Sequence, residues 1–170
     1  MLKKDLTEFN KNVFDSFDNT WGILTCGDKN IGCNSMTISW GGLGVLWNLN
    51  VGIVYVRKSR YTYDFAKNSD SFTISFLNDN YKKEKIFFGS KSGRDLDKYA
   101  STGLHKCFEP DFNGYYIAEA DYVFRMKKIY EIDLPYEKLP VEIKNKHYND
   151  GDIHTMFVCK IVDYLEKEEK

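Results

Sequence analysis

The stretch Val54-Tyr55-Val56-Arg57-Lys58-Ser59-Arg60-Tyr61-Thr62 changes character within one residue, from an apolar strand to a cluster of cations and hydroxyls. A strand end that delivers Arg57, Ser59 and Arg60, followed by a helix starting at Thr62 with its hydroxyl as N-cap, gathers guanidinium donors, hydroxyls and free helix N–H groups. Those groups together hold a phosphate dianion. Only four of the 24 basic residues are arginines, and Arg57, Arg60 and Arg94 lie in two short segments containing Gly, Ser and Thr. Planar, bidentate anion recognition needs Arg; Lys cannot imitate it. An exposed basic turn would have the same composition, and Asp64, in the first helical turn, favours that alternative by competing for the helix end.

Two other segments carry similar chemistry. In Cys33–Gly44 (CNSMTISWGGLG), polar Asn34, Ser35, Thr37 and Ser39 interleave with Met36, Ile38 and Trp40. Strand alternation puts residues 35, 37 and 39 on one face, where three hydroxyls need partners from solvent or a polar ligand. In GSKSGRD (89–95), Ser90, Ser92 and Gly93 flank Lys91. Small residues there leave backbone N–H groups open to an anion or a flat ring, although a plain surface turn needs neither.

Several other chemistries are excluded. GGLGVLW (41–47) has Trp47 where a dinucleotide-binding turn needs its third glycine, and the glycines of 89–95 lack the Gly-Lys-Ser/Thr ending of a P-loop. His105, His147 and His154 share no metal-ligand spacing with Cys26, Cys33, Cys107 and Cys159, so no metal is expected. No Gly-x-Ser-x-Gly elbow is present.

The elements that must position these residues are mostly strands. Leu6, Phe9, Val13, Phe14 and Phe17 have helical spacing, which predicts an amphipathic helix over about 3–17. Residues 21–26, 31–40, 51–56 and 72–77 read as strands, 115–134 as two strands or one bent strand, and 156–165 as the last. Short helical pieces are expected after Thr62 and in 81–102, and a loop with one helical turn in 139–152. Seven strand-like runs with few helices between them argue for a closed antiparallel barrel with helices appended, as one domain over residues 1–170.

The bulk properties agree with a folded globular chain. It is 42% hydrophobic and 29% charged, with a net charge of −1, which argues against a broad electrostatic grip on nucleic acid. No apolar run approaches the roughly 18 residues of a membrane span. Met1-Leu2-Lys3-Lys4-Asp5 leads into charge and not into an apolar signal segment, so a reduced, cytoplasmic protein is expected.

NSMTISWGGLGVLWN (34–48), VYVRKSRYT (54–62) and FGSKSGRDLDK (88–98) together resemble the flavin reductase-like, FMN-binding split-barrel family, and within it the flavoredoxin-like branch. DIHTMFVCKI (152–161) resembles that branch's last barrel strand, and the motifs occur in the family's order from Trp21 to Val162. The resemblance implies a mainly β fold, a six-stranded antiparallel Greek-key split barrel with short helices, forming a homodimer with FMN near the subunit interface. It implies that Arg57, Arg60 and Thr62, with Ser59 beside them, hold the FMN phosphate. Asn34, Met36, Thr37, Ser39 and Trp40 would line the ribityl chain and one side of the ring. Ser90, Lys91, Ser92 and Gly93 would close from a neighbouring loop, and His154 would lie near the flavin or the nicotinamide. The implied activity is an oxidoreductase passing electrons from NAD(P)H through FMN to an acceptor, with no side chain assigned as acid or base. A flavoredoxin-like carrier taking electrons from a protein donor is the alternative, and the barrel alone would also admit pyridoxal phosphate or haem. Two departures stand out: Asn50 replaces the branch's proline after the Trp-Asn turn, and Cys159 stands where a small residue, often glycine, is usual.

Overall fold

The computed structural model describes residues 1–168. Strands β1 (Leu2–Lys4), β2 (Gly22–Asp28), β3 (Gly32–Ile38), β4 (Gly41–Leu46), β5 (Leu49–Arg57) and β6 (Ser71–Phe76) are followed by the hairpin β7 (Lys106–Glu109) and β8 (Gly114–Ile117). Two long strands, β9 (Tyr122–Asp133) and β10 (His154–Glu166), complete the set. The helices are short: α1 (Val13–Asp15), α2 (Tyr61–Asn68), α3 (Lys82–Ser90), α4 (Lys98–Thr102) and α5 (Val141–His147). None is long and apolar enough to cross a membrane.

The main sheet runs in the order β3-β2-β6-β9-β10-β5-β4, every pair antiparallel, with β1 added beside β10. β3 and β4 lie at opposite ends of this path, yet only Ser39 and Trp40 separate them in the chain. The three Cα–Cα steps from Ile38 to Gly41 span at most about 11 Å, so the sheet must roll until its ends meet. The result is a barrel split along one seam and bridged by Ser39–Trp40. The expected count of six strands becomes eight in this sheet. The glycine-rich stretch after the expected strand 31–40 forms β4, and β1 forms where a helix was expected.

That N-terminal expectation is overturned. Residues 3–17 fold as β1, a single turn at Leu6–Glu8 closed by an Asp5/Glu8 capping box, and α1, followed by a π-type turn at Ser16–Thr20. Asn12 caps α1 with its own side chain and so starts a new turn where a continuous helix would have run through. The apolar spacing served another purpose. Phe9 packs against Phe124, Tyr164 and Tyr122 at centroid distances of 4.9, 5.5 and 5.8 Å, and Phe17 meets Phe76 edge-on, closing one end of the barrel.

Inside the barrel lie Leu24, Met36, Ile38, Val54, Val56, Phe72, Ile74, Phe124 and Phe157. A second cluster of Ile23, Leu77, Phe88, Leu104, Ile117 and Val123 packs the helices and the β7–β8 hairpin onto the outside of the sheet. Strands such as β2 are buried on both faces, which explains their continuous apolar runs. Cys159 is fully buried within the barrel, opposite Gly52 in register, and so lies in the core, away from the surface cavities. A Cβ at Gly52 would lie 2.3 Å from the Met126 sulfur, so any larger residue would force Met126 to repack.

Candidate functional site

β5 ends at Arg57, a tight turn donates Arg60 N–H to the Arg57 carbonyl at 3.0 Å, and α2 begins at Tyr61. Arg60 is the N-cap residue, and no side chain among the described residues caps the helix. Thr62, expected as the cap, sits instead in the first turn. Its hydroxyl is buried and accepts from Asn34 Nδ2 at 2.7 Å, tying the helix start to β3. Asp64 does not compete for the helix end: it pairs with Arg94 at 2.9 Å, and the Arg94 guanidinium lies over the Tyr61 ring.

A cavity of about 180 Å³ opens at this helix start. Asn34 and Met36 wall it from β3, Ser59–Thr62 from the turn, Ser90–Gly93 from the loop after α3, and Lys98 from α4. A Cβ at Gly93 would fall 2.2 Å from Asn34 Oδ1, so a side chain there would have to displace the Asn34 amide. Arg60 donates to the Gly89 carbonyl at 2.5 Å, which fixes its guanidinium between the turn and the loop. Burial, and then the neighbouring Arg57, disfavour its charge, but a guanidinium stays protonated in proteins. Lys98 ends the motif FGSKSGRDLDK (88–98), which does not mark it as a ligand. It is 4% exposed and donates to the Ser35 and Phe88 carbonyls at 3.0 and 2.9 Å; burial, then Arg60, pulls its ammonium down to about 8. A lone lysine in a helical stretch carries no signal in a sequence. Three cations and no carboxylate line this cavity, a donor set suited to an anion and to little else.

Met36 also lines a second cavity, of about 300 Å³, formed by Met36–Trp40, Tyr55, Arg57, His147 and His154. Trp40 lies across its mouth, with both imidazole centroids 5.1 Å from the indole. Arg57 is placed here and does not wall the anion cavity. It donates to the His147 carbonyl at 2.7 Å and the Asp152 carbonyl at 3.1 Å, and pairs with Asp150 at 3.4 Å, clasping the arm that follows α5. The Ser59 hydroxyl is likewise turned to Asp152, at 2.6 Å. His154, opposite Arg57 in register, has Nδ1 2.9 Å from the buried Tyr148 hydroxyl. Burial, reinforced by Arg57, pushes it down to about 4, so the imidazole is neutral at pH 7. His147 and Tyr55, with no distinguishing pattern in the sequence, also belong to this compartment.

The hydroxyl face of β3 has partners other than those expected. Ser35 is buried between Thr25 and the Tyr99 hydroxyl at 2.7 and 2.5 Å, and Thr37 donates to the Lys85 carbonyl. These two residues anchor the helices to the barrel, so their polarity alone is no sign of a ligand. Ser39 and Trp40 pass on to a third, open and mostly apolar cavity of about 680 Å³, lined also by Phe14, Phe17, Tyr55 and Tyr148. Met36 is thus shared by the anion pocket and the aromatic slot, and Ser39, Trp40 and Tyr55 by the slot and the apolar trough.

The sequence model of the family described as flavin reductase like domain matches residues 14–170. Among solved structures, flavoredoxin of Desulfovibrio vulgaris (Miyazaki F) is 23% identical and aligns over 98% of this chain and 78% of its own, with a TM-score of 0.69. Flavoredoxin from Methanosarcina acetivorans is 21% identical over 97% and 77%, also at 0.69. The FMN-binding protein from Thermus thermophilus, solved with bound 1-cyclohex-2-enone, is 16% identical over 98% and 80%, at 0.68. A comparison with curated proteins gives no match.

Proposed function

This chain belongs to the flavin reductase-like domain family, a flavin-binding class, and on that premise we propose that it binds FMN and passes electrons from NAD(P)H through it to an acceptor. The observation that carries this reading is the contiguity, through Met36, of a carboxylate-free cationic pocket with an aromatic-lined slot. FMN has the same two parts, a phosphate dianion and a flat ring.

Arg60, Lys91 and Lys98, with the start of α2 and the Ser90–Gly93 loop, would hold the phosphate, and Asn34 and Thr62 keep the loop and helix in place around it. Met36, Thr37, Ser39 and Trp40 would line the ring compartment, with Arg57 and His154 on its far side. When bound, FMN supplies the redox chemistry; the chain binds it, orients it and sheds water from one side of it. His154, neutral at pH 7, serves there as a hydrogen-bonding group and not as a cation. The open apolar trough beside the slot has room for a second flat ring, which supports a nicotinamide donor over a purely protein-fed carrier.

The test begins with fluorescence titration of FMN, expected to saturate in the micromolar range or tighter. Stopped-flow mixing of the loaded protein with NADH and with NADPH follows. Flavin bleaching within seconds is expected, and its absence with both would leave the flavoredoxin-like carrier.

We further propose a homodimer. Val45 and Trp47 on the β4–β5 hairpin and Tyr130 and Ile132 on β9 are exposed, and the Trp47 and Tyr130 rings lie 6.2 Å apart, forming one apolar patch. Four free thiols support a reducing, cytoplasmic setting.

A further inference from the structure

We propose that Tyr148 is a positioning residue that locks His154 in its Nε2–H tautomer, so that His154 presents a neutral hydrogen-bond donor to the ring compartment. Nδ1 of His154 and the Tyr148 hydroxyl are 2.9 Å apart, and both residues are buried, at 8% and 4% exposure. One proton lies between them. If Nδ1–H donated, the phenolic hydrogen would be left in the interior without an acceptor, since the Tyr148 hydroxyl makes no other hydrogen bond among the described residues. If the phenol donates, neither atom is orphaned, and the remaining imidazole proton sits on Nε2. His154 itself lines the compartment, and no partner within the described chain takes its Nε2.

The surroundings keep the pair in that state. Arg57 of β5 faces His154 across the sheet, and its guanidinium lies 5.4 Å from the Tyr148 ring centroid. His147, Asp150 and Asp152 of the arm surround the same guanidinium, so the one cation beside His154 is already matched by carboxylates and carbonyls. Burial raises the Tyr148 phenol, which keeps it protonated and available as donor. With Arg57 committed to the arm, Nε2–H of His154 is a donor free to meet a ligand. The compartment should therefore favour a ring edge bearing carbonyl oxygens or an imine nitrogen over one bearing N–H groups. This deepens the flavin reading, on which its ligand half rests, because a flavin's pyrimidine ring offers such acceptors.

The tautomer is measurable without any ligand. In ¹⁵N-histidine-labelled protein at pH 7, His154 should show an imine-type Nδ1 and a protonated Nε2, and Tyr148→Phe should convert it to a mixture. A protonated Nδ1, or a tautomer indifferent to Tyr148→Phe, would overturn the proposal. Tyr148→Phe should also weaken FMN, by about twofold for an even mixture, because apparent affinity falls with the fraction in the donor tautomer. In a His154→Gln background, where the amide is a donor without help, the same change should have no effect; an undiminished effect there would make Tyr148 merely structural. Failure of FMN to bind at all, with the expected tautomer present, would sink the flavin reading and leave the donor assignment standing.

Discussion

Lys98 shows how one residue can set the behaviour of a site. Its ammonium is held by two carbonyls and lies against Arg60 with no carboxylate near, an arrangement that favours deprotonation until an anion arrives. Lys98→Met should weaken FMN about 10- to 100-fold, the range of a hydrogen bond to a charged group, and leave riboflavin, which lacks the phosphate, unchanged. The sign of the pH effect follows from the same group. Its charge is present below about 8 and lost above, so FMN affinity should fall between pH 7 and pH 9. Equal affinity at both ends of a fluorescence titration series would show that Lys98 does not meet the phosphate. At this scale the sequence was legible where chemistry was concentrated: Arg60, Thr62, Asn34 and Ser90–Gly93 meet at one cavity. It was silent on Lys98 and His147, whose roles come from distant elements folding over them. For Ser35 and Thr37 polarity alone was no guide, because hydroxyls on a strand face can be satisfied by a packed helix as well as by a ligand, although Thr37 still lines the ring compartment.

At the scale of elements, alternation and β-branching located the strands, while helical spacing in 3–17 marked burial without specifying a helix. Register added what no pattern could: β3 and β4, two residues apart in the chain, lie at opposite ends of the sheet with five other strands between them. The β4–β5 hairpin turns through Trp47 and Asn48, both with φ above +50°. Asparagine suits that region, whereas tryptophan is strained there by about 1–2 kcal/mol. Trp47 is also 62% exposed in the middle of the apolar patch. Trp47→Asn should therefore raise the stability of the dilute monomer by about 1 kcal/mol in a urea melt while weakening self-association in sedimentation. A variant less stable and still fully associated would place the interface elsewhere.

At the scale of the molecule, one buried ion cluster fastens four elements. Arg125 of β9 makes a two-pronged pair with Asp163 of β10 at 2.6 and 2.5 Å, reaches Asp111 in the β7–β8 turn at 3.2 Å, and shares Asp163 with Lys3 of β1. Burial alone would raise the Asp163 carboxyl; the hydrogen bonds from Arg125 and Lys3 outweigh it and hold it below the usual carboxylate range. Arg125→Met should cost about 3–5 kcal/mol by stranding that carboxylate, and adding Asp163→Leu should recover most of the loss. Thermal melts of the single and double variants decide it, since a mild single variant would mean that Lys3 suffices. β10 itself pairs with β1, β5 and β9 at once, and it follows all of them in the chain. A ribosome therefore extrudes every other strand before the one that joins them. Until His154 and its successors emerge, β5 waits with a bare edge and the seam has no far wall. During synthesis the nascent barrel is an open sheet in need of shielding, and the compartment that His154 lines stays unwalled until β10 has joined.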